Sequence, residues 1–185
     1  MIDYGLGHAP DEYRWTVGVN VGKPNDISAS CYLIHHAGEY FLWDTGLSDA
    51  VAAMPDGWYP SNNPATDIHW TRAKTLESQL ATIGVKPSDI RYVEISHTRP
   101  DHIGNVELFP NVRFLIQKTE YEYYIAPGKA GIAKPPSGLR PTFLKDHPTI
   151  MVQEDLNVFG DGSVMIVFTP GHTPGRIFVI PEFQN

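Results

Sequence analysis

Apolar and polar positions change period several times along this 185-residue chain. Residues 14–22, RWTVGVNVG, alternate apolar and polar side chains, a period of two that predicts a strand. SASCYLIHHAGEYFLWDTG predicts a hairpin, with strands near 29–35 and 40–43, a turn at Ala37, Gly38 and Glu39, and a stop at Asp44-Thr45-Gly46. Residues 51–72 mix Pro, Gly, Asn and aromatics without a period, which predicts a long loop of the kind that carries lids or binding segments. Ala73, Leu76, Leu80 and Ile83 recur at helical spacing, and Gly84 ends the run. Strands follow at 90–96 and 111–118, then a short helix over 119–126 opening on a threonine, then a Pro/Gly-rich loop over 127–148. TIMVQEDLNVF and SVMIVFTPG predict a second hairpin around Gly160, Asp161 and Gly162.

Strands outnumber helices, and most connections between them are too short to hold a crossover helix. The pattern predicts an α+β or layered α/β chain with a mostly antiparallel sheet, and argues against a parallel doubly wound fold. No internal repeat or low-complexity tract interrupts it, and the length suits a single domain over 1–185.

Composition narrows the function classes. Apolar residues make up 42% and charged residues 19%, values of a globular rather than a disordered chain. The net charge is −7 and the basic residues are scattered, which argues against a nucleic-acid partner. The single cysteine, Cys31, allows no internal disulfide and fits a reducing compartment. The first fifteen residues lack the basic and apolar regions of a signal peptide, and no apolar run approaches the roughly 18 residues of a membrane helix. These features predict a soluble, cytoplasmic protein without a membrane partner.

The candidate chemistry lies where strands end. SHTRPDHIGN, residues 96–105, places His97, Asp101 and His102 within six positions, with Arg99 in their midst. MIVFTPGHTPG ends a later strand at His172, in a Gly/Pro setting that lets a tight loop aim one side chain. A third strand ends at Asp44 of WDTG. A divalent transition ion takes neutral imidazole nitrogen and carboxylate oxygen held close together on rigid backbone. Each residue alone has an ordinary reading: a surface histidine, a turn-forming Asp44, an Asp101 that caps the following turn. Histidines and carboxylates at three strand ends together argue for a metal platform.

WDTG, SHTRPDHIGN and TPGHTPG, in that order and spacing, resemble the metallo-β-lactamase fold superfamily. LFPNVRFLIQKTEYEY and VFGDGSVMIVFTPGHTPG are similar to its N-acyl homoserine lactonase-like, quorum-quenching hydrolases, and the resemblance spans nearly the whole chain. It implies a layered αβ/βα sandwich with two metal ions, usually zinc, at one sheet edge, and hydrolysis of lactones or related carboxylic esters by a metal-bound hydroxide. It implies metal ligands at His97, Asp101, His102 and His172, with Asp101 and Asp44 as the catalytic carboxylates, Asp44 steadying the site from behind. Trp58, Tyr59 and Trp70 of the long loop either contact an acyl chain or pack the loop down.

The chain departs from the family pattern at Arg99, which stands where the motif has a second histidine. Arginine presents N–H donors only and keeps its charge. At about 4 Å and an effective dielectric of ~20, its repulsion of a divalent ion is on the order of 8 kcal/mol. Arg99 is therefore expected either to pair with Asp101 or to occupy the first metal position itself. The family's bridging aspartate and final histidine have no counterpart in TPGRIFVIPEFQN, so much of the C-terminal half of the sandwich is expected to be lacking. The strand-like tail RIFVIPEF is then expected to join a second chain in a homodimer or larger assembly. The alternative to a hydrolase is a non-catalytic member with an empty or weak metal site, acting in ligand binding or assembly.

Overall fold

The computed structural model describes residues 1–125 and 147–182. Ten strands form two sheets among these residues. They are β1 (Ile2–Ala9), β2 (Asn25–His36), β3 (Glu39–Trp43), β4 (His69–Thr71), β5 (Ile90–Ile95), β6 (Arg113–Gln117), β7 (Thr149–Val152), β8 (Leu156–Asn157), β9 (Val164–Phe168) and β10 (Ile177–Pro181). Three α-helices accompany them: α1 (Leu76–Thr82), α2 (Pro100–Ile103) and α3 (Lys118–Ile125). The larger sheet runs β4-β1-β2-β3-β5-β6-β7 and the smaller β10-β9-β8.

Strand alternation sorts side chains into two apolar layers. Leu42 of β3, Val93 and Ile95 of β5, and Phe114 and Ile116 of β6 join Leu76 and Leu80 of α1 in one cluster. Phe41 and Leu115, on the opposite face of the large sheet, meet Val164 and Ile166 of β9 and Ile177 of β10 in the other. The result is an α+β sandwich in which helices cover one face of the large sheet and the small sheet covers part of the other.

The large sheet is mixed rather than mostly antiparallel. β1, β2, β3 and β4 pair antiparallel, but β3–β5, β5–β6 and β6–β7 pair parallel. The parallel half arises because residues 44–89 and 96–112 are long enough to carry α1 and α2 back across the sheet. It also matters for function, since parallel strands deliver their C-terminal ends to the same edge.

Other expectations need correction. Residues 14–22 are not a strand: a 3-10 turn at Glu12–Arg14, capped by Asp11, gives way to turns with Val17, Val19 and Val21 exposed. The alternation there rests on Gly18, Asn20 and Gly22, whose positive φ values of 82°, 51° and 74° reverse the chain. The second predicted hairpin splits. β7 joins β6 in the large sheet, while β8 pairs with β9 around the glycine turn at 160–162. β1 carries Gly5 and Gly7, which dilute its strand signal. A Cβ on Gly5 would lie 2.3 Å from the Thr71 carbonyl oxygen, so the close approach of β4 requires glycine there. β4 itself falls inside the predicted long loop. Most of the Pro/Gly-rich loop predicted over 127–148 lies outside the described residues. Among the described residues no helix is long and apolar enough to cross a membrane.

Candidate functional site

The parallel neighbours β3 and β5 end side by side, at Asp44 and Ser96-His97. Asp44 turns the chain in the left-handed region, φ 62°, and is buried. Its Oδ1 accepts the Ser96 N–H at 2.8 Å; its Oδ2 accepts from Ser96 Oγ and from His102 Nδ1, each at 2.7 Å. The turn that carries His102 is locked to the loop after Asp44. Gly104 N donates to the Gly46 carbonyl at 2.7 Å, and a Cβ on Gly104 would sit 2.2 Å from Ser48 N. Asn105 donates to the carbonyls of Thr45 and Leu47 at 2.6 and 2.7 Å and accepts from Asp49 N at 2.6 Å. The small sheet supplies His172 from the loop between β9 and β10, and Ile177 N donates to the Ser96 carbonyl at 3.2 Å.

These connections bring the three histidines together. The His97 ring centroid lies 4.0 Å from that of His102 and 4.9 Å from that of His172. Asp101 Oδ2 is 3.3 Å from His102 Nε2. His97, Asp101, His102, His172 and Asp44 all line one cavity of about 700 Å³. Trp58 and Trp70, which face each other across an isolated β-bridge, form part of its apolar wall, whereas Tyr59 stacks on His69. The loop aromatics thus both pack the loop down and, at two positions, face the cavity.

Proton positions follow from the bonding. Ser96 Oγ gives its one hydrogen to Asp44, so at 3.0 Å it receives the Nδ1 hydrogen of His97. The His97 lone pair is left on Nε2, which is buried without a hydrogen-bond partner. Burial, and then the neighbouring His102, hold the His97 pKa down at about 2, so the ring is neutral. Burial alone would lower His102, but the carboxylates of Asp44 and Asp101 outweigh it and push its pKa up to about 10. Burial works to raise Asp101, yet His102 overrides it and holds that carboxyl well below the usual carboxylate range. His172 is lowered by burial and by the guanidinium groups of Arg99 and Arg176. Behind the site, Glu94 is fully buried with neither carboxyl oxygen bonded. Burial first and Asp44 second raise its pKa well above the ordinary value.

Of the two places expected for Arg99, the pairing with Asp101 is not formed. The Arg99 side chain is exposed at the cavity wall, and the ion-pair partner of Asp101 is His102. The proline at position 100 starts α2 immediately after Arg99, and Asp101 in the first turn of that helix lies against His102. Among the described residues no three His, Cys, Asp or Glu side chains are already arranged around an ion position. The reason is visible in the bonding, because His102 Nε2 and Asp101 Oδ2 are turned on each other. By donor chemistry the set fits one divalent cation: a neutral buried imidazole with a free lone pair, a second imidazole backed by a carboxylate, an ionised Asp101, and His172 at the rim. Several contributors escaped sequence reasoning, among them Ser96, Asn105, Arg176 and Glu120. Ser96 and Asn105 had a visible signal, as the first and last residues of SHTRPDHIGN.

A two-sheet sandwich of this kind, with Asp44, His97, Asp101 and His102 beyond the C-terminal ends of parallel strands and His172 brought in from the antiparallel small sheet, gathers a candidate metal site at one edge. The chain belongs to the metallo-beta-lactamase superfamily, whose family model matches residues 24–182. It is 32% identical over 176 residues to the N-acyl homoserine lactonase AttM of Rhizobium radiobacter, covering 89% of this chain and 63% of that protein. It is 26% identical over 166 residues to the N-acyl homoserine lactonase AiiA of Bacillus thuringiensis subsp. kurstaki, covering 89% and 62%. The chain thus spans about three fifths of the length of the curated relatives it matches. An N-acyl homoserine lactone hydrolase solved with N-hexanoyl-L-homoserine at its catalytic metal centre shares the fold, with a TM-score of 0.76 and 23% identity, over 98% of this chain and 72% of that one. AidC, a dizinc quorum-quenching lactonase, superposes with a TM-score of 0.66 at 17% identity, over 99% and 66%.

Proposed function

We propose that this chain is a metal-dependent hydrolase that opens lactone rings, of the N-acyl homoserine lactone type in the first instance, or cleaves related carboxylic esters. One observation carries the reading: the buried, unbonded Nε2 of His97, set beside His102, Asp101 and His172 in the wall of a cavity. Most buried side-chain nitrogens are hydrogen-bonded, and a lone pair left free beside two further imidazoles and a carboxylate is the arrangement a cation would complete. His97, His102, Asp101 and His172 would hold zinc. When bound, the ion supplies a Lewis acid that acidifies water and polarises the scissile carbonyl.

The chain's own groups do the rest. Asp44 fixes the proton of His102 on Nδ1 and so aims Nε2 toward Asp101. Asp101, ionised and lining the cavity, is placed to carry a proton from the attacking water to the leaving alkoxide. Trp58 and Trp70 give an acyl chain an apolar wall. The charge of Arg99 favours one ion over two. Among the described residues β10 is an edge strand of its sheet with Phe178 and Ile180 exposed, an apolar surface on which self-association is to be read by light scattering.

The second reading, a non-catalytic member with a weak site, is favoured by Arg99 and by the absence of a ready ligand set among the described residues. Incubation of the zinc-supplemented chain with N-hexanoyl homoserine lactone separates the two. Ring opening adds the mass of one water to the substrate, and Asp101→Asn abolishes that product. A wild-type chain that leaves the lactone, γ-lactones and aryl esters all intact rejects the hydrolase reading.

A further inference from the structure

Glu120 lies in the first turn of α3 and is completely buried. No ion pair with a lysine or arginine accounts for its burial among the described residues; three donors do. Oε1 accepts from the backbone N–H and the hydroxyl of Thr98, each at 2.8 Å. Oε2 accepts from Gly175 N at 3.1 Å. Thr98 stands between His97 and Arg99 in the loop after β5, and Gly175 lies three residues beyond His172 in the loop after β9. One carboxylate therefore bonds the two loops that bring imidazoles to the site from different sheets.

The contact is close as well as bonded. A Cβ on Gly175 would sit 2.2 Å from Glu120 N and 2.5 Å from Glu120 Cβ. The His172 loop thus rests directly on the start of α3, and position 175 admits only glycine at this spacing. Among the described residues the two loops also meet through the Ile177 N–H bond to the Ser96 carbonyl, at 3.2 Å, and through the edge-on contact of the His97 and His172 rings.

We infer that Glu120 is a positioning residue that sets the spacing of His97 and His172 by clamping the Thr98 and Gly175 loops together. The inference rests on the reading that these imidazoles are the working groups of a cation site. A glutamine cannot reproduce the clamp. With its oxygen on Thr98, its NH₂ meets the Gly175 N–H donor to donor; flipped, it loses the Thr98 N–H instead. Backbone groups that lose such an acceptor become unbonded in a buried place.

The test uses the full chain carrying Glu120→Gln, with Thr98→Val as a milder variant that deletes one of the three donors. Amide hydrogen exchange at Thr98 and Gly175 is followed in the zinc-free protein, and zinc affinity is measured by competition with a chromophoric chelator. Glu120→Gln is expected to speed exchange at one of the two amides by tenfold or more and to weaken zinc on the order of tenfold, the range for residues that orient metal ligands. Thr98→Val is expected to shift both in the same direction by less. Faster exchange with unchanged zinc affinity makes Glu120 a stability anchor only and overturns the inference, as does unchanged exchange. Should the wild-type chain take up no zinc, the hydrolase reading falls separately. The clamp is then decided by nuclear Overhauser contacts between the His97 and His172 rings: their loss in Glu120→Gln supports it and their persistence overturns it.

Discussion

Replacing Asp44 by asparagine isolates the electrostatic part of the site. Asparagine keeps the side-chain size and tolerates the left-handed backbone that Asp44 adopts at φ 62°, so little backbone strain is introduced. Its carbonyl can still accept the Ser96 N–H, but an NH₂ now replaces the oxygen that accepts from both Ser96 Oγ and His102 Nδ1 at 2.7 Å. In the metal-free chain His102 is charged at neutral pH, because Asp44 and Asp101 push its pKa up to about 10 against burial. A charge pair at that spacing is worth about 6 kcal/mol before desolvation at an effective dielectric of 20, and removing one partner of a buried pair costs about 3–5 kcal/mol. Above the raised pKa the ring is neutral, and the loss shrinks to that of a hydrogen bond, about 1 kcal/mol.

The sign follows from linkage. A histidine whose folded pKa exceeds its unfolded value stabilises the fold fully below the unfolded value, near 6.5, and loses that contribution as pH rises through about 10. Urea unfolding of chelator-treated wild type and Asp44→Asn at pH 7 and at pH 10.5 reads the difference directly. The destabilisation should be severalfold larger at pH 7. An equal cost at both values would show that Asp44 acts only as a neutral hydrogen-bond acceptor.

Other substitutions probe separate parts of the account. Arg99→His trades an exposed cation for a lone-pair donor and should raise zinc affinity on the order of tenfold, read by calorimetric titration; an unchanged affinity means the Arg99 side chain does not bear on the ion. Glu94→Gln should be more stable than wild type by more than about 1 kcal/mol at pH 8 and equal to it near pH 4. The unfolded chain releases the Glu94 proton that burial and Asp44 retain in the folded one, and urea midpoints that track each other across this range would contradict the assignment. Asn105→Ala removes three side-chain hydrogen bonds between the histidine turn and the loop after Asp44 and should cost about 3 kcal/mol in denaturant unfolding.

The clustering of the candidate ligands was legible because it is local. His97, Asp101 and His102 follow one strand within six residues, and His172 follows another in a Gly/Pro loop, so spacing alone pointed to a shared platform. Asp44 was legible as a strand terminator, but its three bonds to residues 96 and 102 depend on β3 and β5 lying parallel. The parallel half of the sheet was hidden because pairing partners are set by long-range packing, not by the alternation within a strand. The alternation in residues 14–22 misled for a related reason: its small partners are glycines and an asparagine in left-handed turns. Glu120 carried no signal, since a glutamate in the first turn of a helix is ordinarily a solvated residue, and its role depends on loops 22 and 55 positions away. The pairing of Asp101 with His102 instead of Arg99 was likewise hidden, because it depends on how side chains one and two positions apart in a short turn are aimed.

The central claim is that His97, Asp101, His102 and His172 hold a cation with which the chain hydrolyses a lactone. Its most direct test is a stepwise zinc titration of chelator-stripped protein with N-hexanoyl homoserine lactone as substrate, following acid release in a pH-stat. The account predicts no ring opening above background without zinc, a rate that rises and saturates at a fixed ratio of zinc to chain, and no rise in His97→Ala. A rate independent of zinc, or no ring opening at any zinc concentration, would contradict it.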